Sequence, residues 1–142
     1  MNYTQNDFTT LAKTIYGESR GELYRYGVAS LIAIANVVVN RKNKQFAKTI
    51  HDVCTSPYQF SCWNKNDPNY IKIINMEPGK CSIFDICLNV SENVLLEKWP
   101  DLTDGCDHYH ERNITPNWAV YLKPKRIFGA HYFYSLRNYT YN

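Results

Sequence analysis

The sequence predicts an α+β fold, with helices first and a small antiparallel sheet in the C-terminal third. Two patterns carry this expectation. Apolar residues recur at helical spacing as far as Leu95, whereas the chain after Gly105 is dominated by Tyr, His, Phe and Trp and interrupted by Pro116 and Pro124. Length is the third observation, because 142 residues fit one domain spanning 1–142 with room for a real core.

The elements follow in order. Phe8, Leu11, Ala12 and Ile15 share one helical face, with Asn6 or Asp7 as N-cap, and Gly17 and Gly21 bracket the break after that helix. Leu23 to Asn40 reads as a second helix, apolar nearly all round and therefore expected to run through the core. A short turn of helix is expected at Thr49 to Cys54. Residues 56–79 read as loop, punctuated by Pro57, Asn64, Asn66, Asp67-Pro68 and Pro78. Ser82 with Asp85 three residues on predicts a capping box, and Ile83, Ile86, Cys87, Val90, Val94 and Leu95 continue an amphipathic helix that Trp99-Pro100 ends. Asp101 to Gly105 reads as a turn and Arg126 to Tyr134 as a strand.

Composition narrows the function classes. A charged fraction of 20% with 15% aromatics excludes a disordered chain. The net charge of +3 comes from scattered basic residues, and no helix-turn-helix or RNP-like pattern gathers them, so no nucleic-acid partner is expected. The longest apolar run, Val28 to Val39, falls far short of the roughly 20 residues that span a bilayer, so no membrane insertion is expected. The polar N-terminus lacks the basic start and apolar stretch of a secretory signal. The five cysteines include no CxxC pair; free buried thiols are the expectation, with a Cys54–Cys62 bridge as the alternative.

Three constellations can carry chemistry. Glu18 and Glu22 flank the tight segment Gly17 to Glu22 directly after a helix, where burial beside Tyr16 can raise a carboxyl pKa toward that of a general acid. The alternative is that Glu22 caps the next helix and Glu18 is solvated. His108 and His110 alternate on one strand face, and with Asp104 and His131 they could form a metal site of the zinc peptidase or amidase kind. The alternative is a hydrogen-bonded wall of aromatic strands. Tyr58 to Trp63 mixes amide, hydroxyl and aromatic groups suited to sugars, or to packing a loop. No GxSxG, Walker A, GxGxxG or HExxH motif is present.

Leu11 to Glu22, reading LAKTIYGESRGE, resembles the opening signature of the bacterial cell wall hydrolases of the spore cortex-lytic type. Val28 to Arg41 is similar to that family's apolar helix ending in an Asn-Arg pair, and Tyr58 to Asn64 to its YQFSCWN loop. Asp101 to Gly105 with Tyr109-His110 resembles its turn and strand, and Arg126 to Tyr134 its closing strand. The resemblance covers about residues 8–134. It implies a lysozyme-like domain that cleaves peptidoglycan glycan strands between N-acetylmuramic acid and N-acetylglucosamine. By motif the catalytic glutamate falls on Glu18, and no cofactor or metal is implied.

A lytic transglycosylase needs one carboxylate, because the muramic acid C6 hydroxyl attacks the anomeric carbon and closes a 1,6-anhydro ring. The matching motifs hold no obvious second catalytic carboxylate, Glu22 and Asp104 being the nearest suspects, so the lytic route is expected over hydrolysis. Gln59, Ser61 and Tyr109 are candidates to orient N-acetyl groups or steady positive charge. Tyr16 and Phe60 are candidates for the apolar side of the cleft, Glu22 for a substrate contact, and His108 and His110 for cleft-wall groups. Ser19 stands for the family's usual Ala, Leu102 for its Pro, and Asp104-Gly105-Cys106 for Gly-Gly-Ala. With no signal and no wall-binding region read in the chain, delivery by a holin or another system, as in a phage endolysin, is expected. The competing functions are a metal-dependent amidase or peptidase and a non-catalytic peptidoglycan-binding module.

Overall fold

The computed structural model describes residues 2–138. Helix α1 runs Gln5–Ser19, and Thr4, not Asn6 or Asp7, is its N-cap. Thr4 Oγ1 accepts from the Asp7 N–H while the Asp7 carboxylate accepts from the Thr4 N–H, each at 3.1 Å, a reciprocal capping box one turn earlier than the apolar spacing suggests. The helix also passes through Gly17, because its last turn is held by packing and not by propensity.

The expected helix over 23–40 is two helices, α2 (Glu22–Tyr26) and α3 (Ala29–Asn43). Gly27 separates them at φ +78°, a conformation that a side chain would strain. Helix α3 is the core helix foreseen: Leu31, Ala33, Ile34, Ala35, Val37 and Val38 are fully buried. Helix α4 covers Ile50–Thr55, with the Thr49 hydroxyl accepting from the Asp52 N–H.

The stretch 56–79 is less irregular than its prolines suggest. A single 3-10 turn spans Ser61–Trp63, and helix α5 covers Pro68–Ile74. Asp67 caps α5 and Pro68 opens it, a pairing that punctuates a helix start as readily as a loop. Helix α6, Ser82–Leu95, begins at Ser82, so Cys81 is the N-cap and the expected Ser82–Asp85 box does not form. Asp85 accepts instead from the Gly79 N–H at 2.8 Å.

Asp101 to Gly105 is a turn as expected, its Asp101 carboxylate collecting the N–H groups of Thr103 and Gly105. The chain then forms β1 (His108–Glu111), β2 (Arg126–Phe128) and β3 (His131–Tyr134), an antiparallel sheet in the order β1-β3-β2. The expected strand over 126–134 is thus a hairpin, turned at Gly129-Ala130. Gly129 has φ +58°, and a Cβ there would lie 2.6 Å from the Ser30 hydroxyl oxygen and 2.8 Å from the Glu22 carboxylate.

Two apolar clusters hold these layers. The larger joins α1, α3, α4, α5 and α6, and the smaller sets Ala33, Ile34 and Val37 of α3 against Cys106 and Phe133. Tyr109 of β1 packs against both, so the strand that meets the helices does so through this side chain. The five cysteines are free thiols, four buried and Cys81 half-buried. No helix among the described residues is long and apolar enough to cross a membrane.

Candidate active site

Glu18 lies in the last turn of α1, where the helix dipole presents its negative end and disfavours a carboxylate. The end of α1 is pinned on two sides. The Trp63 indole N–H donates to the Thr14 hydroxyl at 2.9 Å, and the Arg20 guanidinium donates to the Asn69 side chain at 2.7 Å. The first bond brings in the 3-10 turn and the second brings in α5.

Gly17 permits the closest of these approaches. A Cβ on it would fall 2.7 Å from the Cys62 Cβ and 2.9 Å from its Sγ. Cys62 therefore sits directly on the α1 backbone beside the glutamate, with its thiol and its N–H both directed to the Glu18 carboxyl. From the sheet side the Tyr109 hydroxyl donates to Glu18 Oε1 at 2.8 Å.

These contacts set the acidity of the group. Burial raises the Glu18 carboxyl above its ordinary value, the hydrogen bonds from Tyr109 and Cys62 pull it back in part, and the Asp67 charge raises it again. The balance lies upward, which keeps a proton on Glu18 at higher pH than on a solvated glutamate. The Tyr109 phenol is itself held well above its ordinary value by burial and by Glu18, so it is a fixed hydrogen-bond donor.

The other expected residues divide between this centre and elsewhere. Phe60 is buried and its ring neighbours that of Tyr109, with centroids 6.5 Å apart. Gln59 is exposed and accepts from the Arg41 guanidinium at 3.3 Å, and Ser61 is exposed on the 3-10 turn. Tyr16 is no neighbour of Glu18: its ring packs edge-on against Phe84 of α6, two positions round the helix. Glu22 accepts from the Ala130 N–H at 3.0 Å and lies 2.9 Å from His131 Nδ1, so its carboxylate ties α2 to the β2–β3 turn. Asp104, the other suspected second carboxylate, pairs with Lys125 and Arg126 at the surface, 3.4 Å from each.

The histidines do not converge. Strand register places Tyr109 opposite Phe133 and His110 opposite Tyr132. Side chains alternate across a sheet, so His131 shares the Tyr109 face while His108 and His110 lie on the other. His110 is spent on the Tyr134 hydroxyl at 2.8 Å and the Glu111 carbonyl at 2.7 Å. His108 is held by Asp107 at 2.8 Å, and Trp118 packs against both imidazoles. Among the described residues no group of three His, Cys, Asp or Glu side chains is placed to hold a metal ion.

Cys62, which bonds Glu18, and Asp67 and Arg41, which share its electrostatic surroundings, are the groups that residue-by-residue reading did not single out for Glu18. A faint signal existed for Cys62, which follows Gln59 and Ser61 in the same loop. Arg41 and Asp67 gave none, because only the tertiary fold brings the end of α3 and the start of α5 to the end of α1.

Comparison with known proteins gives the family and the fold. Residues 27–134 match the family described as Cell Wall Hydrolase. A spore cortex-lytic enzyme of Bacillus cereus is 26% identical over 133 residues, covering 92% of this chain and 45% of that protein. One from Oceanobacillus iheyensis is 38% identical over 60 residues, which is 42% of this chain and 20% of the relative. The chain thus spans less than half the length of the curated relatives it matches. The crystal structure of the catalytic domain of the Bacillus cereus SleB protein superimposes with a TM-score of 0.66 at 26% identity, covering 93% of this chain and 91% of that one. The catalytic domain of the germination-specific lytic transglycosylase SleB from Bacillus anthracis gives 0.63 at 27% identity, covering 93% and 96%. The lysozyme-like α+β fold is shared with these domains. This chain belongs to the cell wall hydrolase family.

Proposed function

We propose that this member of the cell wall hydrolase family cleaves the glycan strands of peptidoglycan between N-acetylmuramic acid and N-acetylglucosamine, as a lytic transglycosylase with Glu18 as its one acid and base. The observation that carries the reading is the Glu18 carboxyl, raised above its ordinary value by burial and oriented by the Tyr109 hydroxyl. A second support is the printed activity of the Bacillus anthracis relative, a lytic transglycosylase.

The chemistry follows from one group. With Oε1 taking the Tyr109 hydrogen bond, Oε2 carries the acid proton and passes it to the glycosidic oxygen as the C1–O bond breaks. The electron pair of that bond leaves with the N-acetylglucosamine oxygen, and C1 becomes an oxocarbenium centre beside the new carboxylate. That carboxylate then takes the proton of the muramic acid C6 hydroxyl, whose oxygen bonds to C1 and closes the 1,6-anhydro ring. Glu18 ends protonated, as it began.

A single carboxylate suits this route because its neighbours are otherwise engaged. Glu22 is tied to the β2–β3 turn, Asp104 to surface bases, and Asp67 to the Asn69 N–H as the cap of α5. The place of action that follows from the substrate is the bacterial wall. Mass spectrometry of fragments released from purified peptidoglycan tests the proposal. Anhydromuropeptides from the unaltered chain and none from Glu18→Gln are expected. Reducing-end muropeptides would mean hydrolysis and turn attention to Asp67, and equal release by both proteins would remove Glu18 from the chemistry.

A further inference from the structure

Arg41 is the anomaly outside the acid itself. Only 5% of the residue is exposed, yet its hydrogen bonds go to neutral groups: Nε to the Asp107 carbonyl at 2.6 Å and Nη1 to the Gln59 amide oxygen at 3.3 Å. Burial of a guanidinium is costly unless an anion offsets it. The nearest carboxylates are committed elsewhere. Asp107 turns its carboxylate away from this bond, to Lys44, His108 and the N–H groups of Leu136 and Arg137, and Glu18, the other carboxyl near enough for Arg41 to feel its charge, is bonded to Tyr109 and Cys62.

The guanidinium borders a cavity of about 80 Å³ lined also by Phe46, Val53, Ser56 and Gln59. A second guanidinium, that of Arg137, shares the Phe46 ring, 3.9 Å from its centre against 5.9 Å for Arg41. Two cations on one ring repel each other, an arrangement that an anion beside Arg41 relieves. Volume, a buried fork of N–H donors and the flanking Gln59 amide suit a planar carboxylate.

Packed rings also join Arg41 to the acid. Arg41 stacks on Phe60 at 5.0 Å, Phe60 neighbours Tyr109, and Tyr109 donates to Glu18. We infer that the Arg41 cavity, with Arg137 on the same Phe46 ring, is a subsite for a free carboxylate of the peptidoglycan strand, which rests on the glycan-cleaving reading above. Two sources share that chemistry: the lactyl carboxylate of muramic acid and the carboxylates of the stem peptide. The site thus selects for wall in which that carboxylate is not amidated.

Calorimetric titration of the Glu18→Gln chain tests this without turnover. The probes are the N-acetylglucosaminyl-N-acetylmuramic acid disaccharide and its tetrapeptide derivative, each as the free acid and as the methylamide. The free acid of at least one pair is expected to bind about tenfold or more tightly than its amide. The difference should vanish in Arg41→Gln and in Arg137→Gln, the second being an exposed position that leaves the core alone. A difference in the tetrapeptide pair only assigns the carboxylate to the stem peptide, and one in the disaccharide pair assigns it to the lactyl group. Equal binding of acid and amide in both pairs overturns the inference, as does an equal loss of both forms in Arg137→Gln. Fragment release from the intact wall reads the cleavage proposal separately, so a failure of Glu18 as catalyst leaves the acid-to-amide ratio to be judged by itself.

Discussion

The two faces of the three-stranded sheet have similar side chains and opposite employment. The inner face presents Tyr109, His131 and Phe133 to the helices, and one of these side chains reaches Glu18. The outer face presents His108, His110, Tyr132 and Tyr134; His108 is bonded to Asp107, and His110 to the Glu111 carbonyl and the Tyr134 hydroxyl, with Trp118 packed against these three. Chemistry-bearing residue types are therefore a poor guide to chemistry in this chain. What differs is the partner: the outer polar groups bond other groups of the wall, and Tyr109 bonds the buried Glu18 carboxyl.

The sharpest way to separate the faces is Glu18→Gln. The amide keeps the shape and still accepts from Tyr109, yet it has no acid proton to give. Cleavage of purified peptidoglycan should fall by about 10²–10⁴-fold while the melting temperature stays near that of the unaltered chain. Retained cleavage would make both faces structural.

Gly17→Ala strikes the inner side through packing. The new methyl group would meet Cys62 of the 3-10 turn at less than van der Waals distance, with Ile73 also close, 3.2 Å from the same point. Denaturant unfolding should show a loss of about 1–3 kcal/mol, with activity falling as Glu18 shifts from Tyr109. An unchanged midpoint would show that the 3-10 turn is free to retreat.

Tyr109→Phe is gentler and carries a direction. Loss of one hydrogen bond should cost about three- to tenfold in rate at neutral pH. The Tyr109 hydroxyl favours the charged carboxylate, so its removal raises Glu18 further above its ordinary value. The acid form then persists to higher pH, and the alkaline limb of the pH–rate profile should move up. A limb that moves down would mean that Tyr109 does not donate to Glu18 in the working enzyme.

Much of the helical half was legible because its signals are local. The α3 core helix and the turn at Asp101 to Gly105 follow from apolar periodicity and from Asp and Gly chemistry within a few residues. The misreadings have local causes too. The Ser82–Asp85 spacing promises a capping box, but Ser82 is already inside α6 and Asp85 bonds Gly79. The continuous apolar pattern of 23–40 hides the break at Gly27, since a positive φ leaves the hydrophobic count untouched. Glu18 was legible as a motif, whereas its environment was not. Cys62 and Tyr109 reach it from two separate elements, and no spacing along the chain encodes that meeting.

The smallest expected effect is on the outer face. His108 and His110 form an His-x-His pair on one strand, the spacing from which a metal-dependent reading draws its force. The fold denies it a third ligand, since His131 is on the opposite face beside Glu22 and Asp104 is engaged by Lys125 and Arg126. His108→Gln keeps a hydrogen-bonding group near Asp107 and removes the imidazole, so peptidoglycan cleavage should stay within about twofold. Prior dialysis against a chelator should change neither protein. A chelator-sensitive activity that His108→Gln abolishes and Glu18→Gln leaves intact would reverse the assignment of the two faces, moving the chemistry to the outer one and leaving Glu18 as a buried link between α1 and β1.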